Sequence, residues 1–262
     1  MFTSTNSPPP KTTKITTKQP STLQTYLGGT KPTTLQTKYC QCPSGKKKCR
    51  RPLKPFSAIV REKPHLTLIC GRKGSGKTAL TVKLLKSNRG WQKVYDKVII
   101  ISPTFMLQPV WGQISPEGVS VYLEFRAEQI VELMATQTEN RDRRVLLLLD
   151  DLGEDVCRAK DATAVFHKLI ANSRHLSISI VWLAQKITQV PTYARANSDC
   201  FISFASLATR ERDALFNEVS MTDKKTFAAM FADATRDQYS TFAATFKDGS
   251  LKFYKNLDDE IK

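Results

Sequence analysis

The run Gly71-Arg72-Lys73-Gly74-Ser75-Gly76-Lys77-Thr78 constrains this chain more than any other feature. Immediately before it, His65–Cys70 has the length and apolar content of a buried strand, and after it Lys77–Asn88 reads as a helix. A strand that runs into Gly-x-x-x-x-Gly-Lys-Thr and out into a helix is the P-loop pattern. Its glycines permit a tight turn that aims backbone N–H groups at phosphate oxygens, and the helix N-terminus adds partial positive charge. Gly71, Arg72, Lys73, Gly74, Ser75, Gly76, Lys77 and Thr78 are therefore expected to hold a nucleoside triphosphate. Lys77 is expected to reach the β- and γ-phosphates, and Thr78 to offer its hydroxyl to Mg²⁺. The expected cofactors are ATP and Mg²⁺.

A P-loop needs an acid from a neighbouring strand. Val145–Leu149 is apolar throughout and ends in Asp150-Asp151, which delivers carboxylates to the edge of a sheet where nucleotides bind. Asp150 is the expected Mg²⁺-associated acid, acting through water, and Asp151 is expected to orient or polarise the attacking water. The alternative for this pair is a capping role in the loop Leu152-Gly153-Glu154-Asp155. A further apolar run, Ile178–Leu183, leads to Gln185. If that strand lies between the P-loop strand and the Val145–Leu149 strand, Gln185 faces the γ-phosphate and serves as a sensor; otherwise it is a solvated surface glutamine.

The remaining pattern places these motifs in one architecture. Further strands are expected at Val98–Ser102 and Cys200–Phe204, and helices at Ala127–Thr138, Thr163–His175, Leu207–Val219 and Thr222–Ala234. Thr241–Phe246 and Leu251–Tyr254, split by Lys247-Asp248-Gly249-Ser250, read as a β-hairpin. Strands alternating with helices indicate a three-layer α/β P-loop NTPase fold around a mainly parallel sheet. The expected division is a disordered basic tail over 1–55, an ATPase core over 56–206, and C-terminal helices and hairpin over 207–262 that complete the domain.

Charge is distributed unevenly. The first 61 residues hold twelve Lys or Arg and no acid, so +12 of the net +16 lies there and the other 201 residues are only mildly basic. A cationic, Thr/Pro/Lys/Ser-rich tail with few periodic apolar positions reads as disordered and suited to polyanions, nucleic acid first; a solubilising or targeting tail is the alternative. Lys46–Arg51 is a compact basic cluster compatible with nuclear import or phosphate contact, and Thr22-Leu23-Gln24-Thr25 recurs as Thr34-Leu35-Gln36-Thr37. Cys40, Cys42 and Cys49 offer three thiolates to zinc but lack a fourth ligand, and no disulfide framework is apparent. No apolar run approaches the ~18–20 residues of a membrane span, and the N-terminus lacks a secretory core. Cytosol, nucleus or virus-factory interior is thus expected rather than export, with no membrane partner.

Taken in order, Asp150-Asp151-Leu152-Gly153, Asn172-Ser173-Arg174-His175 with Leu176–Ile180, Gln185, Val190-Pro191 and Arg195-Ala196-Asn197 resemble the poxvirus-type DNA-packaging ATPases of the FtsK–HerA superfamily. The resemblance covers about Leu66 to Phe204. It implies an oligomeric ring, a pentamer or hexamer, that drives double-stranded DNA without sequence preference into a preformed capsid at its portal vertex. Its place would be the host nucleus or a cytoplasmic virus factory, or the virion. In such rings an arginine from one subunit commonly stabilises charge at its neighbour's γ-phosphate. Arg174 is the first choice for that role and Arg195 the second; a structural salt bridge or DNA contact is the alternative for either. Many related motors carry Glu where this chain has Asp151. Only about 58 residues follow Phe204, so no nuclease domain is expected. Arg141, Arg143 and Arg144 could touch DNA or form an exposed basic turn. Competing readings are a HerA-like helicase or DNA-transfer motor, a small-molecule P-loop kinase, and a nucleotide-switched binding module.

Overall fold

A strand buried along its whole length needs cover on both faces, and then it reads as continuous apolar sequence. Four strands here meet that condition: β1 (Leu66–Cys70), β4 (Val145–Asp150), β5 (Ile178–Ala184) and β6 (Cys200–Phe204) are buried at every position. The computed structural model describes residues 54–153, 159–219, 223–247 and 249–261. The tail features and the cysteines at 40, 42 and 49 lie outside these residues.

Adding β2 (Lys97–Ile101), β3 (Val119–Tyr122), β7 (Thr241–Lys247), β8 (Ser250–Lys255) and β9 (Asp259–Ile261) gives one sheet in the order β3-β2-β4-β5-β1-β6-β7-β8-β9. β3 to β6 pair in parallel; β7, β8 and β9 continue the sheet antiparallel. Side chains alternate between two cores. Leu66, Leu68, Leu147 and Leu149 face the core formed with α2 (Ala127–Glu139), α3 (Lys160–Asn172), α5 (Thr209–Val219) and α6 (Lys224–Ala234). Ile69, Leu146 and Leu148 face α1 (Lys77–Lys86), Trp91, Phe105 and Trp111. A short α4 (Thr192–Ala196) links β5 to β6. This is the three-layer, mainly parallel α/β fold that the alternation predicts, and it places every parallel strand's C-terminal tip on one edge.

At the opposite edge, Asp199 joins three parts of the chain. Its Oδ2 accepts the Leu66 N–H at 2.9 Å at the start of β1, and its Oδ1 accepts from Arg174 at 2.9 Å. Asp199 itself leads into β6. Its side chain is buried, so this carboxylate ties the beginnings of two central strands to the turn after α3.

The sequence reading missed β3 and β9. β3 is half-buried at all four positions, and β9 is three residues long with two acids, so neither carries the apolar signature of the central strands. The helix expected over Thr163–His175 runs instead from Lys160 to Asn172; Ser173 then turns the chain, its carbonyl accepting from Ile178 N at 2.9 Å.

The antiparallel extension is welded to the rest by aromatic packing. Phe242 on β7 is fully buried, with ring centroids 5.5 Å from Phe227, 5.4 Å from Phe231 and 5.6 Å from Phe253. Replacing Phe242 with Ala should cost about 3–5 kcal/mol. Urea unfolding followed by tryptophan fluorescence and by circular dichroism should show one coincident, shifted transition. A separate early transition for the C-terminal strands would show that they fold independently.

Candidate functional site

The P-loop occupies the tip of β1. Gly74 (φ 78°) and Gly76 (φ 100°) adopt left-handed backbone that other residues rarely reach, and a Cβ at Gly71 would meet Ser75 Oγ at 2.5 Å. The loop therefore needs glycine at these positions for two different reasons: backbone conformation at Gly74 and Gly76, close approach at Gly71. Gly76 caps α1 without any side-chain hydrogen bond, and no acid occupies the first turn, so the helix's leading N–H groups face outward uncapped. Ser75 Oγ is buried with no partner. A cradle of unsatisfied donors at a helix N-terminus fits a phosphate chain.

Lys77 turns back into the loop, its Nζ donating to Gly71 O at 2.6 Å and Arg72 O at 3.2 Å. Burial holds its pKa below the ordinary lysine value, with Asp150 and Asp151 partly opposing that shift.

The acids come from register. β2 and β4 pair so that Ile101 lies opposite Leu149, which puts Ser102 opposite Asp150 just beyond. With a period of two, Ile100 and Leu148 face the α1 side, and so do Ser102 and Asp150. Ser102 Oγ accordingly donates to Asp150 Oδ2 at 2.9 Å. Asp150 is 2% exposed, and burial pushes its carboxyl up to about 6; the Asp151 charge adds to the rise, while Ser102, Lys77 and the Trp111 indole offset part of it. Trp111 is itself buried and stacked on Phe105, with ring centroids 5.6 Å apart.

The chain turns sharply at Asp151 (φ 53°), a left-handed conformation that Asp tolerates better than most residues. β5 lies between β1 and β4, which meets the condition set for Gln185. Gln185 Nε2 donates to Asp151 Oδ1 at 2.7 Å. Lys77, Asp150, Asp151 and Gln185 thus converge on one sheet edge from three adjacent strands.

The two arginines lie elsewhere. Arg174 is held by Asp199 at the start of β1, roughly 13 Å of strand away from the P-loop, with its side chain 64% exposed. Arg195 is folded into its own subunit. It donates to Val190 O at 3.1 Å, Thr192 Oγ1 at 2.9 Å and Glu218 Oε1 at 2.5 Å, and its side chain is 16% exposed. Arg144 also serves the structure: it donates to Arg61 O and lies over the Tyr95 ring.

The donor chemistry fits Mg²⁺. Thr78 and Asp150 supply hard oxygen ligands, and among the described residues no three His, Cys, Asp or Glu converge to hold a metal by themselves. That matches an ion that keeps its waters and is bound jointly with a nucleotide's phosphates. Cys70, beside the loop, is buried and its thiol is pushed up to about 12, which makes it an inert core residue.

Ser102 and the cavity beside the loop were not anticipated from sequence. Ser102 sits at a strand tip as Asp150 does, and that shared position is the signal that would have found it. The cavity, about 530 Å³, is walled by Gly76, Thr78, Lys83, Gln108, Phe204 and Tyr239. Its walls come from four distant segments, which no motif connects.

With this geometry in view, comparison with known families is decisive. The family described as Poxvirus A32 protein matches residues 56–244. The chain belongs to that family. The poxvirus-type resemblance carried by Asp150–Gly153, Arg174, Gln185 and Arg195–Asn197 therefore holds. No curated protein sequence matches. Among solved structures, the genome packaging NTPase B204 from Sulfolobus turreted icosahedral virus 2, in complex with AMP, is 16% identical, with a TM-score of 0.52 over 74% of this chain and 98% of that one. B204, the DNA-packaging ATPase of Sulfolobus turreted icosahedral virus, is 14% identical, with a TM-score of 0.50 over 74% and 98%. EssC (ATPases 2 and 3) from Geobacillus thermodenitrificans is 14% identical, with a TM-score of 0.51 over 83% of this chain and 49% of that one. At these identities the likeness is one of fold. This A32-family chain is a P-loop NTPase with a nucleotide site at the C-terminal edge of its sheet.

The buried carboxyl predicts a pH signature. Asp150 titrates near 3.8 in the unfolded chain and near 6 in the fold, so the folded state holds its proton more tightly. Stability contributed by that proton is present below about pH 4 and is lost as pH rises through 6, by about 3 kcal/mol in all. Asp150→Asn should therefore raise the melting temperature of the nucleotide-free protein by several degrees at pH 7.5, and the gain should vanish near pH 4. An equal effect at both pH values would contradict this account.

Proposed function

We propose that this chain is an ATP-driven motor that moves double-stranded DNA into a preformed viral capsid, working as a homo-oligomeric ring, a pentamer or hexamer, and making no cut. The observation that carries the proposal is the Gln185–Asp151 hydrogen bond, made between the tips of β5, next to the P-loop strand, and β4 beyond it, in a chain of the A32 family. A glutamine bonded to the acid that handles water is placed to report whether a γ-phosphate is present. A motor needs that link between chemistry and movement. The fold it shares with proteins described as genome packaging NTPases supports the same reading.

In this reading Lys77 exchanges its loop carbonyls for β- and γ-phosphate oxygens. Thr78 and Asp150 would hold Mg²⁺, Asp150 through water, and the ion would supply charge screening to the phosphates. Asp151 orients the attacking water and accepts its hydrogen bond, and Gln185 contacts the γ-phosphate. ATP and water yield ADP and phosphate. Arg174 supplies positive charge to a neighbouring subunit's γ-phosphate; its exposure supports this choice over Arg195, which three acceptors already occupy. DNA is gripped through its phosphates, because a translocase must ignore sequence. Capsid or portal vertex is the other partner, and the infected cell's nucleus or virus factory, or the virion, is the place of action. After β6 the described chain adds α5, α6 and three strands to the ATPase's own sheet, which supports a motor without a cutting domain in that segment.

ATP turnover measured with and without long double-stranded DNA tests the proposal. Duplex DNA should stimulate hydrolysis at low salt, and the stimulation should fade as salt rises. Absence of stimulation together with stoichiometric ATP use on a nucleoside would instead identify a kinase. Lys77→Ala and Asp150→Ala should each lower kcat by at least about a hundredfold. Mixing Arg174→Ala with Lys77→Ala subunits should restore part of the activity, since each supplies what the other lacks. No recovery at any ratio would remove Arg174 from its role.

A further inference from the structure

Tyr239 is the third residue of the turn Asp237–Ser240, which the Ser240 N–H closes by donating to Asp237 O at 3.1 Å. It precedes β7 in the connection from α6, and its φ of 64° is left-handed, a region that bulky residues avoid. Such backbone costs about 1–3 kcal/mol and persists where surrounding structure imposes it, typically at ligand sites. Tyr239 is 63% exposed, and among the described residues its side chain makes no hydrogen bond or ring contact. The turn accounts for the backbone, and the ring it carries is left largely exposed.

A Cβ placed on Gly76 would lie 3.3 Å from Tyr239 Cδ1 and 3.6 Å from Phe204 Cε1. Two aromatic side chains thus flank the last glycine of the P-loop. Tyr239 forms an outer wall of the cavity that also contains Gly74 and Thr78, and Phe204 forms its buried side.

Sheet order then sets direction. The groups that handle the γ-phosphate and water, Asp150, Asp151 and Gln185, lie at the tips of β4 and β5 on one side of β1. Phe204 ends β6 and Tyr239 precedes β7, both on the other side. β1 and β7 are two strand spacings apart, about 10 Å. A nucleotide whose γ-phosphate points toward β4 must extend its α-phosphate and sugar toward β6 and β7. Its base then arrives where the exposed aromatic ring stands.

We infer that Tyr239 is the platform on which the adenine of bound ATP stacks. The inference rests on the nucleotide-site reading above and adds the part of the ligand that the P-loop does not touch. A flat π-face offered to solvent beside a phosphate cradle suits a base that needs area rather than directional bonds. The hydrogen-bonded turn fixes the backbone that carries the ring, so no loop has to be ordered on binding.

The test is binding of ATP and of inorganic tripolyphosphate to the full chain by calorimetry, for wild type, Tyr239→Ala and Tyr239→Phe. Tyr239→Ala should weaken ATP binding about tenfold, a typical loss for one base–aromatic stack, and change tripolyphosphate binding less than twofold. Tyr239→Phe should keep wild-type affinity for both. The site is exposed, so circular dichroism of all three proteins should coincide. Unchanged ATP affinity in Tyr239→Ala, or an equal loss for ATP and tripolyphosphate, overturns the platform while leaving the P-loop reading intact. Failure of the wild type to bind either ligand overturns both.

Discussion

Strands buried on both faces have only their ends available for polar chemistry, and the rest of this structure depends on that constraint. β1, β4 and β5 are buried along their length and mostly apolar, so their charged groups and most of their polar ones gather at the tips: the P-loop after Cys70, Asp150-Asp151 after Leu149, Gln185 after Ala184. Parallel pairing aligns those tips on one edge. The register that sets Ile101 opposite Leu149 is what lets Ser102 reach Asp150, and the order that inserts β5 between β4 and β1 is what lets Gln185 reach Asp151. The site is a consequence of the sheet's layout more than of any local loop.

Assembling charges at a dry edge creates a conflict in the empty protein. Burial raises Asp150 and lowers Lys77, so each is pushed toward its neutral form although the two have opposite signs. Their mutual attraction is present but smaller than desolvation in both cases. In the proposed reading, a metal-bound triphosphate would bring both missing charges at once, giving the carboxylate a cation and the ammonium an anion. The empty site is thus less stable than a neutral version of itself, and ligand binding relieves the difference.

Much of this was legible in the sequence, because the informative residues lie where a one-dimensional pattern can see them. Gly71–Thr78 and Asp150-Asp151 follow apolar runs directly, and the central strands are recognisable from burial on both faces. Gln185 needed one further fact, the position of its strand between two others, and sheet order is not local information. The roles of Ser102 and Tyr239 depend on the same kind of non-local information. The first matters only because of register with β4, the second only because α6 ends near a glycine more than 150 positions earlier in the chain. Arg174 and Arg195 illustrate the converse. Sequence singled them out as a pair, but one is exposed on a buried carboxylate at the far edge and the other is enclosed by Val190, Thr192 and Glu218.

The two rims of the sheet bear on how copies of this protein can meet. β3 offers four half-buried residues, and β9 offers three, of which two are acids. Short rims, one of them acidic, are poor templates for adding another chain's strand. A ring of the proposed kind would then join through helices and loops, without a shared backbone ladder. Contacts of that sort can slide or tilt without breaking rows of main-chain hydrogen bonds, so each subunit stays a stiff lever while the joints between subunits carry the motion.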